Sequence, residues 1–407
     1  MTGAGTSGDP YIIYDIDDLQ AMKDSLAAYY ELANNIDASA TSGWNKGAGF
    51  IPVGAVATPF TGQLAGKRHK ITDLYINRPT TNYVGFFGVC SAIAVVKNVH
   101  LVDVNITGQD EVGGFIANKS PGDNFDYCSV TGQVSGRRIV GGFAGTLGHA
   151  RYCFVRGTVH ATGQAGQDTW CGGFAGQCIN SIRDSYSRAN VSVDTGSKVG
   201  GFSGGCSASG GIHRCYSTGT VTGQGFNGYF DQTTDCYWDE ESSGVGTSVG
   251  GTGLTTAEAK TQGSYTSWDF TDIWVIDSAI EDGYPSLQVL VSGWGNEEII
   301  QAATAQYSSP VLSVDGAKIY CFWAGSPAAD HIYYKKICPA IDVDPTDWID
   351  ESFDGLTFDG DVACNAESGS YIGVQDEIDA GVGLYIVRHH YLIPPVAVGH
   401  SQGYVIG

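Results

Sequence analysis

The sequence predicts an all-β fold: a parallel β-helix solenoid with an N-terminal helical cap, followed by a C-terminal β-sandwich-like domain. Three observations lead there. A glycine–phenylalanine element recurs as VGFFG at Val84, VGGFI at Val112, VGGFAG at Val140, CGGFAG at Cys171 and VGGFSG at Val199. Its phenylalanines, Phe87, Phe115, Phe143, Phe174 and Phe202, are evenly spaced except for one longer interval between Phe143 and Phe174. A second column opens at Cys128, Cys153, Ser185 and Cys215, with a valine following at a fixed offset at Val134, Val159, Val191 and Val221. Glycine supplies 58 of 407 residues without a collagen triplet, about twice ordinary usage, as a chain rich in tight turns requires.

Residues 1–80 read as a capping module. Ile16, Leu19, Met22, Leu26 and Tyr29 follow near-helical spacing, and Asp15, Asp17 and Asp18 stand where a helix N-terminus favours acids. An amphipathic helix there would lie over the first coil and cover an open strand edge.

Residues 81–235 hold the repeats. The period is too short for a propeller blade, and short alternating segments such as GTVHATG and ANVSVDT fit one coil of a β-helix. Equivalent positions then stack about 4.8 Å apart, with phenylalanine on phenylalanine filling the interior. The cysteine and serine column takes a narrow place, and the paired glycines turn a corner where a β-carbon would clash. The eleven cysteines show no paired spacing and read as reduced and buried.

Residues 236–294 are expected to close the solenoid, with Tyr237, Trp238, Trp268, Phe270 and Trp274 as an aromatic plug and VSGWGNEE as a linker. Residues 295–407 read as a separate β-rich domain with strands at AKIYCFWAG, HIYYKKI and GLYIVRHHYLI. From Ile337 to Val387 there are twelve carboxylates and no Lys or Arg. Asp342, Asp344 and Asp347 are therefore calcium candidates beside the alternative of a solvated acidic loop, and no other cofactor is expected.

The repeat VGGFAG…CYSTGTVTG resembles the GLUG repeat of bacterial, archaeal and phage-associated surface proteins, with Phe in place of the usual leucine. The likeness extends upstream through PYIIYDIDDLQAM and PFTGQLAGKRHKITDLYI and downstream through DCYWDEESSGVGTSVGGTGLTTAEAK, covering about residues 10–290. It implies a right-handed β-helix on an exposed particle or cell-surface protein. It implies no agreed chemistry.

A formal net charge of −22 disfavours nucleic acid and anionic membrane surfaces. No apolar run is long enough to span a bilayer, and the first residues lack the pattern of a secretory signal. GAGTSG at Gly3 matches a dinucleotide fingerprint in letters, but no strand can precede it. GxSxG, HExxH and paired CxxC motifs are absent, and the nine histidines show no ligand spacing. His389 and His390, adjacent on an apparent strand, should face opposite ways.

The enzymatic alternative is a polysaccharide depolymerase, which needs two converging carboxylates. The repeats offer Asp103, Asp110, Glu111, Asp123, Asp126, Asp168, Asp184 and Asp194, of which only Asp103 reads as lying in a strand; Asp235, Asp239, Glu240 and Glu241 cluster at the exit.

The leading expectation is a non-enzymatic structural or attachment protein on a virion, such as a tail fibre, spike or appendage. An exported cell-surface adhesin or filament subunit is the alternative. Partners would be other virion or surface-structure proteins, a host-surface glycan or protein, and further copies of the chain, a trimer for instance.

Overall fold

A computed structural model describes residues 1–119, 124–207 and 210–288, and beyond them the backbone of nine strands between 308 and 406. The chain forms two compact units, Met1–Leu287 and Gln288–Gly407. In the first, the central coils each visit four sheets. The coil opening at Ile139 runs through Ile139–Gly141, Ala144–Leu147, His149–Arg151 and Phe154–Ala161. The next runs through Trp170–Gly172, Ala175–Cys178, Ser181–Arg183 and Tyr186–Val193. Equivalent strands pair parallel and in register, as Val155 with Ser187 and Val159 with Val191. The sheets so built hold four, four, nine and ten strands.

The register puts repeated residues on top of one another. Phe115, Phe143, Phe174 and Phe202 stack with centroids 5.0, 5.0 and 4.9 Å apart and planes within 7°. Phe226, which lies outside the five repeats, extends the stack by another 5.0 Å. Phe87 is tilted 35° from Phe115 and packs instead among Phe60 and Phe86. Val134, Val159, Val191 and Val221 line one inner wall.

The paired glycines leave no space for a methyl group. A β-carbon on Gly142 would lie 2.3 Å from the Gly173 carbonyl oxygen and 2.5 Å from a Val155 methyl. Gly142→Ala is therefore expected to cost about 1–3 kcal/mol as an overpacked core position, read as a lower urea midpoint.

The small-residue column is a hydrogen-bond ladder. The Cys153 thiol and the Ser185 hydroxyl accept from the backbone N–H of Cys128 (3.4 Å) and Cys153 (3.1 Å), one coil below. Each also donates to a carbonyl two residues back, at 3.2 and 2.8 Å. Cys128 and Cys215 donate in the same way to Asp126 and His213. Burial pushes the Cys153 and Cys215 thiols well up in pKa, so they stay protonated donors. All eight cysteines among the described residues are buried and in no disulfide. One residue ahead of this column the chain turns through left-handed backbone at Arg68, Asn98, Tyr127, Tyr152, Asp184, Arg214 and Asp235, with φ between 46° and 67°.

Three features differ from the sequence reading. The N-terminal helix is only Ile16–Ala21 with a 3-10 turn to Asp24, and Tyr29 belongs to the strand Tyr29–Leu32. That strand joins Tyr11–Ile13 and Gln63–Ala65 in the nine-stranded sheet, so parallel coil pairing begins inside the segment expected to be a cap. The apolar positions there alternate as well as recur, and pairing to the next coil satisfies more backbone than a free helix would.

Coil pairing also continues past 235, through Tyr237–Asp239 and Thr252–Leu254. Trp238 points inward and lies over Gly225. The other expected plug residues do something else. Tyr186 and Tyr216 face outward from the ten-stranded sheet and stack at 5.0 Å, and the chain from Tyr265 to Leu287 folds back as a strap that buries them. Trp274 sits against both rings, and the Tyr216 hydroxyl donates to the Pro285 carbonyl at 2.7 Å. An aromatic pair left bare on a sheet face would waste apolar area that the strap can cover.

The second unit holds an antiparallel sheet of Val311–Asp315, Lys318–Ala324, His331–Ile337 and Val343–Ser352, and a second sheet built around Val362–Glu367, Tyr371–Ile378 and Gly381–Val387. The acidic segment read as a loop thus falls on the strand Val343–Ser352. Asp342 lies outside the described residues, as do the side chains of Asp344 and Asp347, His389, His390 and the expected linker.

Candidate functional site

The interior is filled by side-chain ladders, so any chemistry belongs to the outer faces. Four carboxylates of the repeats, Asp110, Asp126, Asp168 and Asp184, are each paired with a cation from a neighbouring coil. Asp126, only 1% exposed, closes the strand Asn124–Asp126 and accepts from Arg151 at 2.7 and 3.2 Å. It is a second strand carboxylate beside Asp103, held because its coil neighbour is an arginine. Arg214 grips Asp184 with two bonds of 2.7 Å, and Arg137 holds Asp110. Glu111 takes hydrogen bonds from Asn118 and Thr146. Asp123 lies outside the described residues.

Within the exit cluster, Asp239 is equally committed. Asp239 caps the turn Glu240–Ser243, accepting from the backbone of Glu241 and Ser242 at 2.9 Å. It also accepts from the Thr256 hydroxyl at 2.8 Å and the Tyr284 hydroxyl at 2.6 Å. A carboxylate with four donors is a structural node.

His160, Ser192 and Asp194 come together on the outer ten-stranded face, with Ser192 Oγ 3.0 Å from Nδ1 and Asp194 3.5 Å from Nε2. The letters of a serine-protease triad are present. The arrangement stands on an open sheet, with Asp194 64% exposed, and the strand amides beside it are spent on coil pairing. Nothing there converges on an oxyanion.

His100 is the most perturbed histidine among the described residues. Its Nδ1 contacts Ser129 Oγ at 2.9 Å, and burial, then Arg68 and Lys70, bring its pKa down from 6.5 to about 4. The unfolded chain takes up this proton near pH 6.5 and the folded chain only near pH 4. Stability is therefore expected to fall as the pH drops from 6.5 to 4, by at most about 3 kcal/mol, and to be flat above that window. Denaturation midpoints at pH 4.5 and 7.5 check this, and His100→Gln should remove this contribution.

Shallow recesses mark the outer faces, and three of them lie among the described residues as follows. One of about 440 Å³ includes Arg183, His213 and Asp231, and one of about 420 Å³ includes Asp73, Tyr75, Asp103 and Gln133. The third, about 520 Å³, is lined by Gln164, Gly166, Gln167, Asp168, Thr195, Gly196 and Ser197. Of the three, this one continues into an aromatic surface. Asp168 accepts from Ser197 at 3.3 Å and from Lys198 at 2.5 Å, and the Lys198 ammonium lies 4.0 Å from the Trp170 ring centre and 4.3 Å from that of Tyr229. Lys198, the Ser197 bond and attraction to Arg138 hold the Asp168 carboxyl below the usual range, Lys198 being the largest cause. Phe230 packs edge-on against Tyr229 at 4.5 Å. The sequence points to Asp168 but to neither these aromatics nor the glutamines. The longer interval between Phe143 and Phe174 is the signal that could have found Trp170 and the glutamines, but not Tyr229 or Phe230.

No family model matches the chain. It is similar to Halomucin of Haloquadratum walsbyi, 37% identical over 157 residues that make up 36% of this chain and 2% of that protein. A Gly-rich membrane protein of Evansella cellulosilytica is 34% identical over 107 residues, 26% of this chain and 12% of that one. An Immunoglobulin A1 protease of Streptococcus sanguinis is 25% identical over 234 residues, 55% of this chain and 12% of that one. The matches thus span a small part of each relative's length. No helix among the described residues is long and apolar enough to cross a membrane.

Proposed function

We propose that the chain is a non-enzymatic, surface-exposed structural and attachment protein, a GLUG-type right-handed solenoid bearing a β-sandwich-like domain. The observation that carries this reading is the division of labour between inside and outside. The interior is spent on ladders, and outside, carboxylates of the repeats such as Asp110, Asp126, Asp168 and Asp184 are tied to cations of neighbouring coils. Such a rod holds shape and presents surface. The name of one relative, a Gly-rich membrane protein, supports a place at the cell envelope rather than on a virion.

Immunogold electron microscopy with antibody to the solenoid, on native cells and particles, tests this. Label on the envelope is the expected result. Label on virion tails or spikes would replace the cellular placement by a phage appendage, and label confined to the cytosol would overturn the reading.

A further inference from the structure

We infer that the recess at Asp168 and the aromatic wall of Trp170, Tyr229 and Phe230 form one binding site for a neutral, hydroxyl-rich polysaccharide. The inference rests on the attachment reading and names the site that would perform it.

The site is built from extra chain. Val140 follows Val134 by six positions and Val199 follows Val191 by eight, but Cys171 follows Val159 by twelve. Gln164, Gly166, Gln167 and Asp168 of this longer connection, which turns through Gly163 and Gly166 at φ of 70° and 74°, line the recess, and Thr195, Gly196 and Ser197 of the next coil complete it. A solenoid coil closes without the longer connection, and insertions in repeat proteins gather on the binding face.

The chemistry of the lining is neutral and hydrogen-bonding: two glutamine amides and the hydroxyls of Thr195 and Ser197, with Asp168 as a strong acceptor.

The aromatic wall is maintained against cost. Tyr229 is 40% exposed and Phe230 50% exposed. Phe230 also holds φ at 59°, a conformation that bulky side chains avoid, pinned by Asn227 Nδ2 donating to its carbonyl at 2.5 Å. Apolar ring faces beside convergent amides and hydroxyls match a sugar, which has C–H faces and a hydroxyl rim. The chain's net charge of −22 opposes the approach of an acidic polymer.

The test is native affinity electrophoresis of the full chain in gels cast with dextran, mannan or a mixed-linkage β-glucan, and with alginate as the acidic comparison. At least one neutral polymer is expected to retard the protein. Tyr229→Ala with Phe230→Ala should weaken that retardation at least tenfold, and Gln167→Ala should weaken it several-fold, at unchanged thermal midpoint. Equal retardation of the double variant, retardation by alginate alone, or no retardation by any neutral polymer would overturn the inference. Envelope labelling together with any of those results would sink this site and leave the attachment reading standing.

Discussion

Phe174→Ala should remove about 3–5 kcal/mol of unfolding free energy, the loss typical of a large ring deleted from a closed core. Phe174 has no exposed surface and lies between Phe143 at 5.0 Å and Phe202 at 4.9 Å, with planes within 5°. The cavity cannot collapse easily, because the coils above and below are fixed in register by parallel pairing on four sheets. Phe87 provides the contrast. Its neighbours Phe60, Phe86 and Phe115 are tilted or edge-on, an irregular cluster with room to readjust, so Phe87→Ala should cost less. Urea denaturation of the two variants checks both statements. A loss below about 1 kcal/mol at Phe174 would mean that the stack carries little of the solenoid's stability.

The ladder is legible because repetition converts a packing requirement into a sequence period. Every coil needs the same ring at the same place, so the phenylalanine column shows in the letters. The left-handed corner shows less well. Asn98, Asp184 and Asp235 are residue types that tolerate positive φ, but Arg68, Tyr127, Tyr152 and Arg214 occupy equivalent places, and no common letter marks the column. The first coils read as a cap because they pair as strands without the glycine–phenylalanine element. The carboxylate pairings are hidden for a different reason: Asp126 meets Arg151 only once the coil register is known. At the candidate site the longer spacing after Val159 is visible, but Tyr229 and Phe230 reach it from two coils further on.

The strap's aromatics show in the sequence, but its course over Tyr186 and Tyr216 is hidden, because it occurs once and its partners are far apart in sequence. Trp274→Ala should expose its role. Trp274 is fully buried, with ring centres 6.3 Å from Tyr186, 6.1 Å from Tyr216 and 4.3 Å from Trp268. Truncation should again cost about 3–5 kcal/mol, but the loss belongs to a different unit. The strap is tied to the solenoid by a few anchors: Glu281, only 5% exposed, with Arg188 at 2.5 Å and with Arg156, and Asp282 with Arg188 at 2.6 Å. Glu281 and Asp282 both hold positive φ, at 52° and 55°, in a turn that these anchors fix to the sheet. Without Trp274 the strap should therefore open while the coils keep their pairing, since that pairing is made strand to strand between neighbouring coils. Limited proteolysis should cut between Lys260 and Tyr284 in the variant and not in the parent, with the far-ultraviolet circular dichroism of the solenoid retained. Loss of the strand spectrum together with the strap would show instead that the exposed tyrosine pair and the coils beneath it unfold as one.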